Sequence, residues 1–266
     1  MPLRLTGREL FSPRSLGTLG LAFYLTFVGV IQLSLLGYTR PGELIAALLS
    51  PEVAFSAGLS MVTATCAAAL SLLLAIPTGY LLAHRRLPTV LETLLDLPLV
   101  LPPIAVGMAL LIFFQTGMGE FIQEHTVRFV FTVAGIVLAQ FTLTSGFALR
   151  LVKTTFESVD HRYETTARTL GASPWQCFGQ VSLPLARNGI LAAGVLTWAR
   201  AIGDFGATVT LVGATAFKTE TLPIAIFLNL STARIEGAIA VTLVLLALSF
   251  LTLLAFRWIV REEVRA

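Results

Sequence analysis

The sequence predicts an all-α integral membrane protein of six transmembrane helices, and three observations predict it. The chain is 56% hydrophobic and only 12% charged over 266 residues, whereas a soluble domain carries about a quarter charged residues. Its apolar residues gather into runs of about 20, the length a helix needs to cross a bilayer. The charges fall between those runs. The net charge of +3 comes from basic residues in short inter-run loops, not from a patch or arm suited to nucleic acid. Cys66 and Cys177 lie far apart, with no CxxC and no histidine cluster, so they read as inert thiols and no metal site or disulfide framework is indicated.

Taken in order, residues 1–15 form a polar segment with Arg4, Arg8 and Arg14, and the first span covers 16–38. That run is too long for a signal peptide and lacks a small-residue cleavage site. A polar loop with Pro41, Gly42 and Pro51 leads to the second span, 53–82, rich in Ala, Ser, Thr and Gly. Small residues let helices approach closely in lipid, which predicts a central place in the bundle. Pro77 and Gly79 should kink its inner end. The third span, 94–114, carries Pro98, Pro102 and Pro103. Their freed carbonyls are tolerated only against protein or a wet cavity, so this span should line the interior. The fourth span covers 129–149, a charged loop 152–187, and the fifth span 188–213. The next loop contains LPIAIFLNL, too short to span and suited to an interfacial helix. The sixth span covers 237–258, and 259–266 forms a tail.

Six spans put both termini on one side. Of the eighteen Lys and Arg residues, thirteen lie on that side, four (Arg40, Arg128, Lys218, Arg234) on the other, and Arg200 inside the fifth span. The positive-inside rule then makes both termini cytoplasmic, in a multi-pass protein of the cell (inner) membrane. The charged loop is cytoplasmic with them.

Within that loop, Asp160 to Pro184 reads as a helix–turn–helix lying on the membrane face, suited to docking a partner protein. Tyr163 to Leu170 has good helix formers, with Glu164 and Arg168 as a favourable (i, i+4) pair. Gly171 can supply the left-handed residue that ends a helix. Ser173 followed by Pro174 reads as an N-cap and first helical residue. The second helix places Trp175, Phe178 and Val181 on one face, and Leu183-Pro184 should stop it and turn the chain into the fifth span.

The spacing Ala167-x3-Gly171-x9-Val181-x-Leu183-Pro184 resembles the EAA loop of ABC-importer permeases, whose pattern is Glu-Ala-Ala, three residues, Gly, nine residues, Ile, one residue, Leu-Pro. The chain departs from it at Thr165 and Thr166, and its carboxylate, Glu164, lies one residue early. The resemblance implies a type I ABC-importer permease fold with a cytoplasmic coupling helix. It also implies that Glu164, Thr165, Ala167, Gly171, Ala172, Val181, Leu183 and Pro184 belong to the contact with an ATPase.

The second informative segment is WARAIGDFGATVTLVGA, residues 198–214. Arg200 and Asp204 stand four residues apart on one face of an apolar span. Each ionised side chain there costs about 2.5–3.5 kcal/mol on insertion scales, so each needs a partner or a wet pathway. The two can partner each other and pin the bundle, or Arg200 can lie near a translocation path and attract an anion. Gly203 and Gly206 flank Asp204 and permit close backbone approach, to a neighbouring helix or around a gate.

ARAIGDFGAT is similar to the matching stretch of molybdate-importer permeases, A-R-A-x-G-E-F-G-A-T, with Asp204 where that group has Glu. Sulfate permeases are similar there too, but Phe205, Ala207 and Thr208, and LPLVLPP in the third span, favour the molybdate side. The resemblance implies a translocation path that includes Arg200, Gly203, Asp204, Gly206 and Thr208. It further implies a homodimer, two cytoplasmic ABC ATPase subunits carrying ATP and Mg, and an extracytoplasmic oxyanion-binding protein. The chain itself would hold no cofactor and no metal. The cargo would be molybdate or tungstate, with sulfate or thiosulfate as the alternative.

Two rival classes fit less well. A membrane enzyme needs a convergent catalytic set, yet His84, His125 and His161 lie in predicted loops and neither HExxH nor GxSxG occurs. An ion-coupled secondary transporter normally shows internal repeats and more intramembrane charges than Arg200 and Asp204. No G-x-x-x-x-G-K-[ST] occurs, so ATP would be hydrolysed on another subunit and this chain would be non-catalytic.

Overall fold

The structure, a computed structural model, describes residues 13–38, 40–85 and 88–265. The expected N-terminal segment with Arg4 and Arg8, the basic residue Arg86, and Ala266 lie outside the described residues. In chain order the helices are α1 (Pro13–Tyr38), α2 (Pro41–Leu48), α3 (Pro51–His84), α4 (Thr89–Val100), α5 (Pro103–Phe113), α6 (Gly117–His125) and α7 (Val133–Glu157). Then come α8 (His161–Thr169), α9 (Pro174–Gln176), a π-helical segment (Cys177–Ser182), α10 (Leu183–Ile202), α11 (Gly206–Val212), α12 (Leu222–Ser231) and α13 (Ile235–Arg265). Helices α1, α3, α7 and α13 are long and apolar enough to cross a membrane, and two bent pairs, α4–α5 and α10–α11, each pass the same test together. The chain is a multi-pass, all-α membrane protein.

The centre is α3 against α7, the most extensive helix contact in the chain. The buried face of α3 carries Ser56, Ser60, Ala64, Ala67, Ser71, Ala75 and Gly79, small residues three or four apart. They let the axes come close: a Cβ on Gly79 would lie 2.9 Å from Val152 Cγ1. The hydroxyls of Ser71 and Thr144 pair across the contact at 3.0 Å. The second span therefore is central, as its composition predicts. It runs as one helix through Pro77, and Gly79 serves its close packing on α7.

The third span is not one helix. Leu101 (φ −65°, ψ 136°) and Pro102 (φ −57°, ψ 137°) are extended, and α4 and α5 meet at 106°. A residue before proline is driven out of the helical region, and two prolines in succession enforce this twice. Helix α4 is fastened to α7 by Arg150 Nη1 to Asp96 Oδ2 (2.8 Å) and Lys153 Nζ to Glu92 Oε1 (2.9 Å).

Helix α7 starts at Val133 and continues to Glu157, eight residues past the apolar run, because Val152 and Phe156 are buried against α3 and α10. Two expected loops contain helices. Pro41 opens α2, which packs on α13, and Thr116 caps α6 by accepting from Gly119 N–H. LPIAIFLNL forms α12, which is packed on protein: Leu222 and Ala225 are buried against α3 and α13, and Ser60 of α3 accepts from the Leu222 N–H at 2.7 Å. A helix too short to span is held instead by two that do.

Candidate coupling and translocation sites

Asp160 opens α8 by accepting from the Arg162 N–H at 2.9 Å. The helix ends in a Schellman motif. Gly171 takes φ +92°, its N–H donates to Arg168 O, and the Ala172 N–H donates to Ala167 O, both at 3.0 Å. Ser173 and Gln176 then form a capping box: Gln176 N–H donates to Ser173 Oγ (3.3 Å) and Ser173 N–H to Gln176 Oε1 (2.8 Å). The sequence-predicted helix, turn and N-cap are therefore all present.

Leu183-Pro184 does not stop the second helix. The chain passes from α9 through the π segment into α10 without leaving helical backbone. Pro184 has no N–H and its ring would clash with the carbonyl four residues back. Widening the preceding turn to π spacing removes that conflict without a break. From Pro174 to Ile202 the result is a continuous rod, roughly 40 Å at a helical rise. Val181 is half-buried on it, while Trp175 at 81% and Leu170 at 84% exposure project outward. Thr165 is exposed, and its hydroxyl is used locally on His161 O (3.0 Å).

Glu164 does not pair with Arg168. Its Oε2 receives His84 Nε2 at 3.0 Å and the Tyr80 hydroxyl at 3.3 Å, and its Oε1 receives the Ser182 hydroxyl. Tyr80 also packs on Phe156 and Phe178. Glu164 meets the inner end of α3, whereas Arg168, one turn further along the same face of α8, is exposed. Sequence reasoning missed Tyr80, His84 and Ser182. Tyr80 and His84 share a helix face at (i, i+4), but nothing local marks them as partners of a residue 80 positions away.

Around Arg200 the expected single span divides. Gly203 ends α10, Asp204 turns out of the helix, and α11 leaves at 53°. Asp204, 4% exposed, caps α11: Oδ2 accepts from the Thr208 N–H (3.0 Å) and hydroxyl (2.7 Å), and Oδ1 from the Ala207 N–H (3.4 Å). Of the two readings of Arg200 and Asp204, the ion pair is not formed: the break between them cancels the four-residue helical register. Arg200 instead lies over the Phe147 ring, 5.5 Å to its centroid, and its buried Nε has no hydrogen-bond partner. Beside it, Trp198 Nε1 donates to Thr65 Oγ1 of α3 at 3.1 Å.

The glycines differ. Gly206 sits against α5, where a Cβ would lie 3.0 Å from Pro103 Cβ and 3.1 Å from Ile104 N, whereas Gly203 is exposed with no such neighbour. Of the five path candidates, Asp204, Gly206 and Thr208 build the break, while Gly203 is exposed and Arg200 half-buried beside it. Among the described residues no three His, Cys, Asp or Glu side chains converge as a metal site requires.

A multi-span helical bundle, with a capped helix–turn–helix continuing as a rod into a broken span, defines the membrane subunit of an ABC importer. The chain belongs to the family described as the binding-protein-dependent transport system inner membrane component, which matches residues 68–264. It is 36% identical over 204 residues to the molybdenum transport system permease protein ModB of Escherichia coli (strain K12), a match covering 72% of this chain and 88% of that protein. It is 33% identical over 251 residues to the molybdate/tungstate transport system permease protein WtpB of Thermococcus kodakarensis, covering 94% and 95%. The fold is similar to that in a crystal structure of a bacterial ABC transporter that imports the acidic polysaccharide alginate, with a TM-score of 0.74 at 15% identity over 96% of each chain.

Proposed function

We propose that this chain forms the translocation path of an ATP-driven importer of molybdate or tungstate, as two copies joined to two ATPase subunits and fed by an external binding protein. The carrying observation is Arg200, a half-buried guanidinium with an unpartnered Nε beside a break in a membrane helix. Its planar donor fork suits a tetrahedral oxyanion. The likeness of residues 199–208 to molybdate permeases, and the relatives' names, support the choice of cargo. In this reading Arg200 and Gly203 face the anion, while Asp204, Gly206 and Thr208 hold the helix break behind them.

Both termini and residues 160–184 face the cytoplasm in this reading. The ATPase, which holds ATP and Mg, pushes on the turn at Gly171. Because α9, the π segment and α10 are continuous, the push travels along one rod to the break at Gly203. The anion path then switches between two packings of the bundle, each favoured by a different state of the ATPase.

The test is ATP hydrolysis and uptake by the complex with its ATPase and binding protein in liposomes. Molybdate or tungstate should stimulate hydrolysis, and sulfate should not. Arg200→Gln should lower uptake about tenfold or more, the loss of one charge-assisted contact to the anion. Stimulation by sulfate alone would overturn the cargo, and uptake unchanged in Arg200→Gln would remove Arg200 from the path.

A further inference from the structure

We propose that Glu164 and His84 are positioning residues that fasten the coupling helix α8 to the inner end of α3. The inference rests on the importer reading for its consequence, but its geometry stands apart from it. In the ABC-permease pattern the carboxylate stands at the position of Thr165, which is exposed here. Glu164, one residue earlier, turns about 100° round the helix. Its side chain is only 14% exposed. It faces this chain and not a partner.

The contact is held from several sides. His84 Nδ1 lies 2.8 Å from the Tyr80 carbonyl oxygen, which fixes the ring on its own helix. His84 Nε2 lies 3.0 Å from Glu164 Oε2, which also receives the Tyr80 hydroxyl, while Oε1 receives the Ser182 hydroxyl. Glu164 is thus bonded to α3 and to the π segment through both of its oxygens. The other titratable groups around the contact are His161 of α8, whose ring stands 5.0 Å from that of His84, and Cys177, buried in the π segment.

The contact joins three moving parts. Glu164 belongs to α8, His84 and Tyr80 to α3, and Ser182 to the root of α10. A displacement of α8 therefore reaches α3, and through it the α3–α7 centre, as well as the rod through α10. Besides this tie, α8 packs on the π segment, and its His161 ring stands 5.0 Å from that of His84.

The test measures uptake and ATP hydrolysis together in the reconstituted complex, and hydrogen exchange of residues 161–170 in the same preparation. Glu164→Ala and His84→Ala should lower anion transported per ATP by about tenfold, with hydrolysis retained and exchange of 161–170 accelerated. His84→Gln should keep both near wild type, because its amide nitrogen can donate to Glu164. Should Glu164→Ala fail to accumulate, the contrast of His84→Ala with His84→Gln makes the same decision. A wild-type ratio and wild-type exchange in both alanine variants would overturn the proposal, as would His84→Gln behaving like His84→Ala. If no tested anion is transported by the wild-type complex, the functional reading fails, and exchange in the variants still decides whether the tie exists.

Discussion

Glu164 and Asp204 are both carboxylates in the segments that carry this protein's function, and each accepts several hydrogen bonds, but from opposite kinds of donor. Asp204 takes its donors from the next helical turn, three and four residues on. Glu164 takes its donors from residues 18, 80 and 84 positions away. The first is a local cap that fixes the shape of the backbone inside the membrane, where a free N–H finds no water. The second joins separate elements at the end of the bundle, where water can reach Tyr80 and His84. One carboxylate shapes a helix break; the other couples the parts that must move around it.

The strongest way to break this comparison is Asp204→Ala. It strips the Thr208 N–H and hydroxyl and the Ala207 N–H of their acceptor in a buried place. The expected cost is about 3 kcal/mol, read as thermal unfolding of the purified chain through its three tryptophans. A variant with unchanged unfolding and no uptake would instead put the carboxylate on the anion's route. Gly107→Ala sharpens the point without touching a polar group. A Cβ there would meet Ala207 O at 2.6 Å and Ala207 Cα at 2.9 Å, forcing α5 off α11. That overpacking should cost about 2 kcal/mol and loosen the same break. Glu164→Ala should change unfolding by only about 1 kcal/mol, because Tyr80 and His84 are partly exposed and water can replace it there. Its effect should appear in transport per ATP instead.

The same distinction explains what was legible in the sequence. Local signals are legible in the sequence. The αL glycine at 171, the Ser173–Pro174 start and the small-residue stripe of α3 each depend on near neighbours in the chain. The break in α10–α11 was misread as a continuous helix because Gly203 and Asp204 are both tolerated inside helices. Only their combination, with Thr208 placed to reward the turn, favours a cap. The continuation through Leu183-Pro184 was missed because proline ordinarily ends a helix, and a π turn that absorbs it leaves no mark in composition. The partners of Glu164 were illegible for a different reason: they depend on where α3 ends in space.

The smallest expected effect tests the role of water in this contrast. Ser173, like Asp204, accepts from the backbone a few residues on, here the Gln176 N–H at 3.3 Å, and Gln176 returns a bond to Ser173 N–H at 2.8 Å. Both residues are exposed. Ser173→Ala should therefore cost only about 0.5 kcal/mol, the low end for a lost N-cap, because water takes over the freed donor. The loss should appear as faster hydrogen exchange confined to residues 174–178, with the unfolding midpoint almost unmoved. If local capping alone set the magnitude, Ser173→Ala and Asp204→Ala would cost alike, and the membrane would have no part in why Asp204 is needed. A several-fold difference between two caps of the same kind would place that need in the surrounding medium, and would leave the break at Gly203 dependent on a carboxylate that no water can replace.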